Sequence, residues 1–238
     1  MRLASARIIC NPKKPQAKAL ARKVTEFLAG KGVRIEGRGP APSILITIGG
    51  DGTLLYNKFA STAPIFAIGT SKSFICQSKG KDWKQMLSAI ARSGFRVEKR
   101  AMLECVVSGK AAGDALNDIA LKSGNHRVIH VGIACGKMKA RFYADGVLFS
   151  TPTGSSAYCY SCGGKQLPPL SKKYEITGIA PHRRAFKPLV VPGSSQCLAW
   201  TESSGAVLVL DGQRILRAPP GEKIRIRKSR KHILLVRA

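Results

Sequence analysis

Residues 43–53 read Ser-Ile-Leu-Ile-Thr-Ile-Gly-Gly-Asp-Gly-Thr, and this stretch decides the fold. An unbroken apolar run bounded by turn residues is a strand buried on both faces, as in a parallel sheet. It stops at Gly49-Gly50-Asp51-Gly52-Thr53, and a helical Leu54-Leu55-Tyr56-Asn57-Lys58-Phe59-Ala60 follows. Three glycines let the backbone turn tightly and come close to a ligand, while the next helix offers unpaired N–H groups at its start. That combination attracts phosphate. The chain lacks GxxxxGK[ST] and GxGxxG, so the turn is neither a Walker loop nor a Rossmann fingerprint. Asp51 is out of place in a turn built only for anions. A carboxylate makes sense there if it holds a metal ion, or accepts a proton from a hydroxyl attacking phosphorus.

Outward from this turn, strands alternate with helices up to about residue 95. Ala6–Cys10 is a short apolar strand, and Pro15 opens a helix whose Leu20, Val24, Phe27 and Leu28 share one face before Gly30 and Gly32 end it. Pro64–Ile68 is a further strand. Asp82, with Gln85 three residues on, reads as the N-cap of a helix that turns Met86, Leu87 and Ile90 inward. This βαβ pattern predicts an α/β domain over residues 1–95.

Beyond it the period shifts to two. Strands are predicted at Phe95–Val107, Ala115–Lys122, Val128–Cys135, Lys139–Tyr143, Val147–Thr151, Glu175–Ile179, Cys197–Thr201, Ala206–Leu210, Lys223–Arg227 and His232–Val236, with one helix near Gly154–Ser161. The second domain, residues 96–238, is therefore expected to be mainly antiparallel β, its last strand free to pack back on the first domain.

With 44% hydrophobic residues and a mean hydropathy of −0.04, 238 residues can build a real core. Forty Lys and Arg against thirteen Asp and Glu give a formal charge of +27, spread along the whole chain. Disorder is excluded, since it needs low hydrophobicity as well as charge. No apolar run approaches the roughly 18 residues of a membrane span, and the start, MRLASARIICNPKK, lacks a signal peptide's apolar stretch.

The seven cysteines are odd in number and scattered, which predicts free thiols in a reducing, cytoplasmic setting. Cys159 and Cys162 form one CxxC without a second pair at zinc spacing, and read as two small residues on one face of a short helix. The charge predicts salt-dependent attraction to polyanions. The basic runs Lys13–Lys23 and Arg225–Arg230 alternate with apolar residues, as element faces do, and aromatics are only 6%. Nucleic acid is thus expected to bind nonspecifically if at all.

A second polar segment runs Ala144-Asp145-Gly146-Val147-Leu148-Phe149-Ser150-Thr151-Pro152-Thr153-Gly154-Ser155-Ser156-Ala157-Tyr158, then through Ser161 to Gly163-Gly164. A strand meets a short helix through Pro and Gly, with hydroxyls crowded at the helix start. Four of them (Thr151, Thr153, Ser155, Ser156) exceed what one cap needs. In a chain so poor in carboxylates, four of thirteen (Asp51, Asp118, Asp145, Asp211) fall in these special segments.

Taken in order, GGDGT, Leu116-Asn117-Asp118, ADGVLFSTPTGSSAY, Thr177-Gly178-Ile179-Ala180-Pro181-His182, Lys187-Pro188-Leu189-Val190-Val191-Pro192 and Leu210-Asp211-Gly212-Gln213 resemble the NAD kinase family, over about residues 44–213. GGDGT alone is shared with diacylglycerol and sphingosine kinases; the TPTGSSAY stretch is far more specific. The resemblance implies an N-terminal α/β domain joined to a C-terminal β-sandwich, and phosphorylation of the adenosine ribose 2′-hydroxyl of NAD. It implies ATP or inorganic polyphosphate as donor, Mg²⁺ or another divalent metal as cofactor, and a homodimer or homotetramer. Asp51 then matches the catalytic aspartate and a Mg²⁺ contact; Gly49, Gly50, Gly52 and Thr53 match the donor-phosphate turn. Asn117 and Asp118 match an Asn-Glu pair on the adenosine portion of NAD, with Asp118 one methylene shorter. Asp145 matches an aspartate at the nicotinamide end, Ser156, Ala157, Tyr158 and Ser161 match adenine and ribose contacts, and Gln213 follows the Asp-Gly near the site. Residues 67–75, Ala-Ile-Gly-Thr-Ser-Lys-Ser-Phe-Ile, keep the aromatic Phe74 but lack the family's Asn and most of its glycines. A lipid kinase relative, or a non-catalytic nucleotide- or nucleic-acid-binding protein, is the alternative.

Overall fold

The computed structural model describes residues 1–37, 39–125, 127–202 and 205–237. The chain forms two compact units, Met1–Lys99 with Ile233–Ala238, and Arg100–His232.

The first unit contains β1 (Ser5–Cys10), α1 (Pro15–Ala29), β2 (Arg34–Ile35), β3 (Ile44–Ile48), α2 (Asp51–Asn57), β4 (Ile65–Ile68) and α3 (Trp83–Ser93). Its strands are parallel in the order β2-β1-β3-β4, with Ala6 opposite Ile44 and Leu45 opposite Ile65. Every residue of β3 and β4 is buried, which is why both read as continuous apolar runs. Proline at the first position starts α1, where its missing N–H costs nothing. Val24 and Leu28 of α1 and Leu87 and Ile90 of α3 share one core with Ile44, Ile46 and Phe66, and Phe27 meets Trp83 edge-on at 5.6 Å. Asp82 precedes α3 but makes no cap bond. Its Oδ1 instead accepts from the Ser78 hydroxyl at 2.5 Å and the Lys79 N–H at 3.1 Å, closing the loop before the helix.

A long strand, β5 (Arg96–Val107), leads into the second unit. There follow β6 (Lys110–Ala115), β7 (Asp118–Ser123), β8 (Ile129–Cys135), β9 (Met138–Ala144) and β10 (Gly146–Ser150). After a 3₁₀ turn at Gly154–Ser156 come α4 (Tyr158–Ser161), β11 (Lys173–Ile179), β12 (Leu189–Pro192), β13 (Cys197–Thr201), β14 (Ala206–Leu210), β15 (Arg214–Ala218) and β16 (Ile224–Arg237). One antiparallel sheet runs β12-β11-β10-β7-β14-β15. In another, β13 pairs with β8 on one side and with residues 224–226 of β16 on the other, and β8 pairs with β9. Ile119, Leu121, Phe149, Tyr174 and Leu208 of the first bury against Val131, Ile133, Phe142, Ala199 and Ile226 of the second, the interior of a β-sandwich. The predicted class, an α/β part followed by a mainly antiparallel sandwich, holds.

Several details differ. The strand expected over Ala115–Lys122 breaks at Leu116-Asn117, whose N–H groups turn to a side chain instead of a ladder. The helix expected over Gly154–Ser161 splits at Ala157, which has φ −102° and ψ −122°. The last two predicted strands are one, β16; β2, β6, β12 and β15 are strands that the sequence reading does not predict. Cys135 and Cys197 stand directly opposite on antiparallel β8 and β13 and form a disulfide. The free-thiol expectation fails for this pair, because sequence spacing does not show which residues face each other across a sheet. Cys159 is buried and Cys162 half-buried, both free on α4.

Candidate functional site

In the first unit, Gly49 and Gly50 carry φ of 145° and 108°, so the chain leaves β3 through a conformation that side chains rarely adopt. A Cβ on Gly49 would lie 2.5 Å from Thr53 Oγ1 and 2.9 Å from Asn11 Cβ. Gly52 and Thr53 belong to the first turn of α2, a helix of seven residues. Thr53 is buried, and its hydroxyl has no hydrogen-bond partner among the described residues. The Lys14 ammonium donates to the Gly49 carbonyl at 3.2 Å. A cavity of about 500 Å³ adjoins the turn, lined by Lys14, Gln16, Leu20, Ile48, Gly49 and Thr70 among others.

Asp51 opens α2 and reaches back to the 74–76 segment. Its Oδ2 accepts the Phe74 N–H at 2.7 Å, and its Oδ1 accepts those of Ile75 and Cys76 at 3.1 and 3.2 Å. The carboxylate is thereby fixed in one orientation while Oδ2 keeps a lone pair to spare. Phe74 itself is 68% exposed. Burial, followed by the charge of Asp51, pushes the Cys76 thiol up to about 12, so it stays protonated beside the carboxylate.

In the second unit, Asn117 and Asp118 are buried at the start of β7. Asn117 Oδ1 has no hydrogen-bond partner among the described residues. Asp118 is pushed up from 3.8 to about 7, first by burial and then by the charge of Asp211. Tyr158 is raised by burial and then by Cys162, Asp118 and Asp145 in turn, so these groups form one electrostatic cluster. A cavity of about 190 Å³ is lined by Lys122, Ser123, Asp145, Tyr158 and Ile179. Asp145 is exposed and held through its backbone, its N–H on the Ile179 carbonyl at 3.0 Å and its carbonyl on the Ser123 N–H at 2.8 Å.

The remaining residues predicted for the site are less engaged. Ser156 and Ala157 are half-buried in the turn before α4. The exposed Ser161 donates back to the Ala157 carbonyl at 3.5 Å, and Gln213 is exposed in the β14–β15 turn. Three of the four hydroxyls that seemed surplus are internal stitches. Thr151 donates to the Leu116 carbonyl, Thr153 accepts from Arg100 at 3.2 Å, and Ser155 joins the Pro152 carbonyl to the Leu167 N–H at 2.8 Å each. Lys122 and Ser123 were not predicted; nothing in a polar strand end marks them. Asp211 stands in the sequence reading as a scarce acid and as part of the Leu210-Asp211-Gly212-Gln213 motif, with no role of its own.

The buried Asp118 gives a pH prediction. The folded chain holds a proton that the unfolded chain releases, so this contribution to stability is fully present below about pH 4 and lost as pH rises through about 7. Asp118→Asn mimics the neutral form and escapes that loss. Its melting temperature relative to the parent chain should rise from pH 4 to pH 7 and then level off. A difference constant with pH would show that Asp118 titrates normally.

A glycine-rich turn with a fixed carboxylate at the end of a parallel strand, and a mainly β unit with a buried, partly unsatisfied polar loop, suit a phosphoryl-transferring nucleotide-binding protein. The ATP-NAD kinase C-terminal domain family matches residues 116–238. An NAD kinase of Chloroherpeton thalassium is 30% identical over 214 residues, spanning 86% of this chain and 75% of that protein. One of Clostridium botulinum (strain Loch Maree) is 32% identical over 211 residues, 84% of this chain and 75% of the relative. Among solved structures, yeast NADH kinase complexed with NADH aligns with a TM-score of 0.85 at 25% identity, covering 100% of this chain and 84% of that one. An NAD kinase from Archaeoglobus fulgidus in complex with ATP aligns with a TM-score of 0.81 at 25% identity, over 97% and 92% of the two chains. The chain belongs to the NAD kinase family. Among the described residues, no helix is long and apolar enough to cross a membrane.

Proposed function

We propose that the protein transfers a phosphoryl group from ATP or inorganic polyphosphate to the adenosine ribose 2′-hydroxyl of NAD, making NADP. The observation that carries this is Asn117 Oδ1, a buried acceptor with no partner among the described residues beside the buried carboxyl of Asp118. Leaving such an atom unpaired costs about 1–3 kcal/mol, which a donor on an adenosine moiety would recover. Asp145, Ser156, Ala157, Tyr158, Ser161, Gln213 and Phe74 supply further NAD contacts in this reading. An acceptor with a lipid tail does not suit a cavity walled by Lys122, Ser123, Asp145 and Tyr158.

The donor phosphates go to Gly49, Gly50, Gly52 and Thr53, where Lys14 adds positive charge. Asp51 orients the 2′-hydroxyl and takes its proton, since phosphoryl transfer relies on positioning and charge neutralisation. No group of three or more His, Cys, Asp or Glu side chains suited to a metal is found among the described residues. One carboxylate still fits Mg²⁺, which usually takes one or two from the protein and the rest from phosphates and water. With one spare lone pair on Oδ2, Asp51 would serve the ion only while that lone pair is not taking the 2′-hydroxyl proton, and the ion would neutralise the donor's charge. The active form is read as a homodimer or homotetramer working in the cytoplasm, where Cys135 and Cys197 would be exposed to reduction.

The test is direct: incubate with Mg²⁺-ATP and NAD and read NADP with an NADP-specific dehydrogenase. Absence of NADP with either donor, together with tight DNA binding, would sink the assignment. Salt separates the donors. Transfer from long polyphosphate to NAD should weaken steeply with added KCl, because each phosphate contact releases counterions, whereas transfer from ATP held at one local turn should change much less. Parallel slopes would leave the +27 charge as a general surface property.

A further inference from the structure

The Leu116–Asp118 segment is not held as strands usually are. The N–H groups of Leu116, Asn117 and Asp118 all donate to the carboxylate of Asp211, at 2.8, 2.6 and 3.2 Å. The Asp211 N–H donates in return to the Asp118 carbonyl at 2.9 Å. The two remaining carbonyls are taken by Thr151, whose hydroxyl donates to Leu116 and whose N–H donates to Asn117 at 2.8 Å. All six backbone polar groups of three successive residues are thus satisfied, four of them by one aspartate. Asp211 is buried and sits at φ +53°, a conformation that Asp and Asn tolerate better than most residues. A buried carboxylate beside the Asp118 carboxyl carries a like-charge cost, so its retention in an acid-poor chain calls for a gain elsewhere.

We propose that Asp211 is a positioning residue for the NAD site, its carboxylate fixing the 116–118 backbone so that Asn117 and Asp118 meet the adenosine half of NAD in one orientation. This rests on the NAD reading of that loop given above. Asp211 acts through its neighbours and needs no contact with the ligand. It also acts on Asp118 through charge; the other titratable groups coupled to Asp118 are Tyr158 and Cys162, and Asp145 joins them through Tyr158.

Asp211→Asn keeps the size and the left-handed tolerance but turns an NH₂ toward the N–H donors. In the full chain with saturating Mg²⁺-ATP, KM for NAD should rise about 10-fold or more, while KM for ATP stays within about 2-fold. A purely structural defect would move both together. If Asp118 meets NAD, NAD KM of the parent chain should step with pH near 7; Asp118→Asn should abolish that step, and Asp211→Asn should shift it to lower pH, because one of the two causes that raise Asp118 is gone. A variant with unchanged NAD KM and an unmoved step, while Asn117→Ala raises NAD KM, overturns this proposal alone. If Asn117→Ala and Asp118→Asn also leave NAD KM unchanged, the NAD reading of the loop falls and takes the proposal with it. Should Asp211→Asn not fold, amide exchange in the parent chain decides. Protection of the Leu116 and Asn117 amides comparable to β7 supports the clamp, and exchange at the rate of an exposed loop refutes it.

Discussion

Asp51→Asn should lower turnover by about 10² or more, since a positioned base contributes roughly 10²–10⁴-fold, while NAD binding survives. The substitution preserves shape but removes the proton acceptor and the charge offered to Mg²⁺. It has a second consequence that the fold makes visible. The carboxylate takes three N–H groups from the 74–76 segment, two on one oxygen and one on the other. An amide offers one acceptor oxygen and turns an NH₂ toward at least one donor. Part of the loss will therefore come from a loosened segment, visible as faster amide exchange at Phe74, Ile75 and Cys76. The two parts separate in their readouts: loss of the base lowers kcat at saturating substrates, whereas the loosened segment is seen in amide exchange. A variant retaining more than half the parent activity would mean that Asp51 is only the anchor of its turn.

Why a role for Asp51 could be read from sequence and the clamp made by Asp211 could not is a matter of range. The Asp51 turn is local: a buried strand, three glycines and a helix start occur within eleven residues, and each constrains the next. The glycines with φ of 145° and 108° are those the motif marks. The Asp211 clamp joins segments more than ninety positions apart, and an Asp-Gly after an apolar strand looks like any hairpin turn. The same limit explains Asp82. Its spacing to Gln85 fits a capping box, yet its Oδ1 accepts from Ser78 and Lys79 and its side chain makes no cap bond to the helix. Pairing across sheets was equally hidden. Cys135 and Cys197 meet because β8 and β13 are neighbours in register, and β15 exists because β14 offers an edge to Arg214–Ala218. The four hydroxyls of Thr151, Thr153, Ser155 and Ser156 are more than one cap needs, but three of them bind the protein to itself.

That self-binding makes Gly154→Ala the most damaging single methyl in the second unit. Gly154 is buried, and a Cβ there would run into the carbonyl oxygen, carbonyl carbon and Cα of Asn117. All three are backbone, so no flexible side chain can swing away. The Asn117 carbonyl is already occupied by the Thr151 N–H at 2.8 Å, and the Asn117 N–H by Asp211 at 2.6 Å. The loop is gripped from both sides and can make room only by breaking one of these bonds. Overpacking of this kind typically costs about 1–3 kcal/mol, and contact with an immobile backbone puts the expected loss near the top, about 3 kcal/mol. At about 2–4 °C per kcal/mol for a chain of this size, the melting temperature should fall by roughly 6–12 °C. Gly205→Ala is the control, with nothing within 4 Å of its added methyl, and should stay within about 0.5 kcal/mol of the parent. Function should fail further than stability. At a temperature where Gly154→Ala is still folded, NAD KM should rise at least as far as in Asp211→Asn, because the same Asn117 backbone is displaced from the opposite side. If Gly154→Ala melts within 2 °C of the parent chain and keeps its NAD KM, the 116–118 loop is not the rigid element on which the NAD site depends.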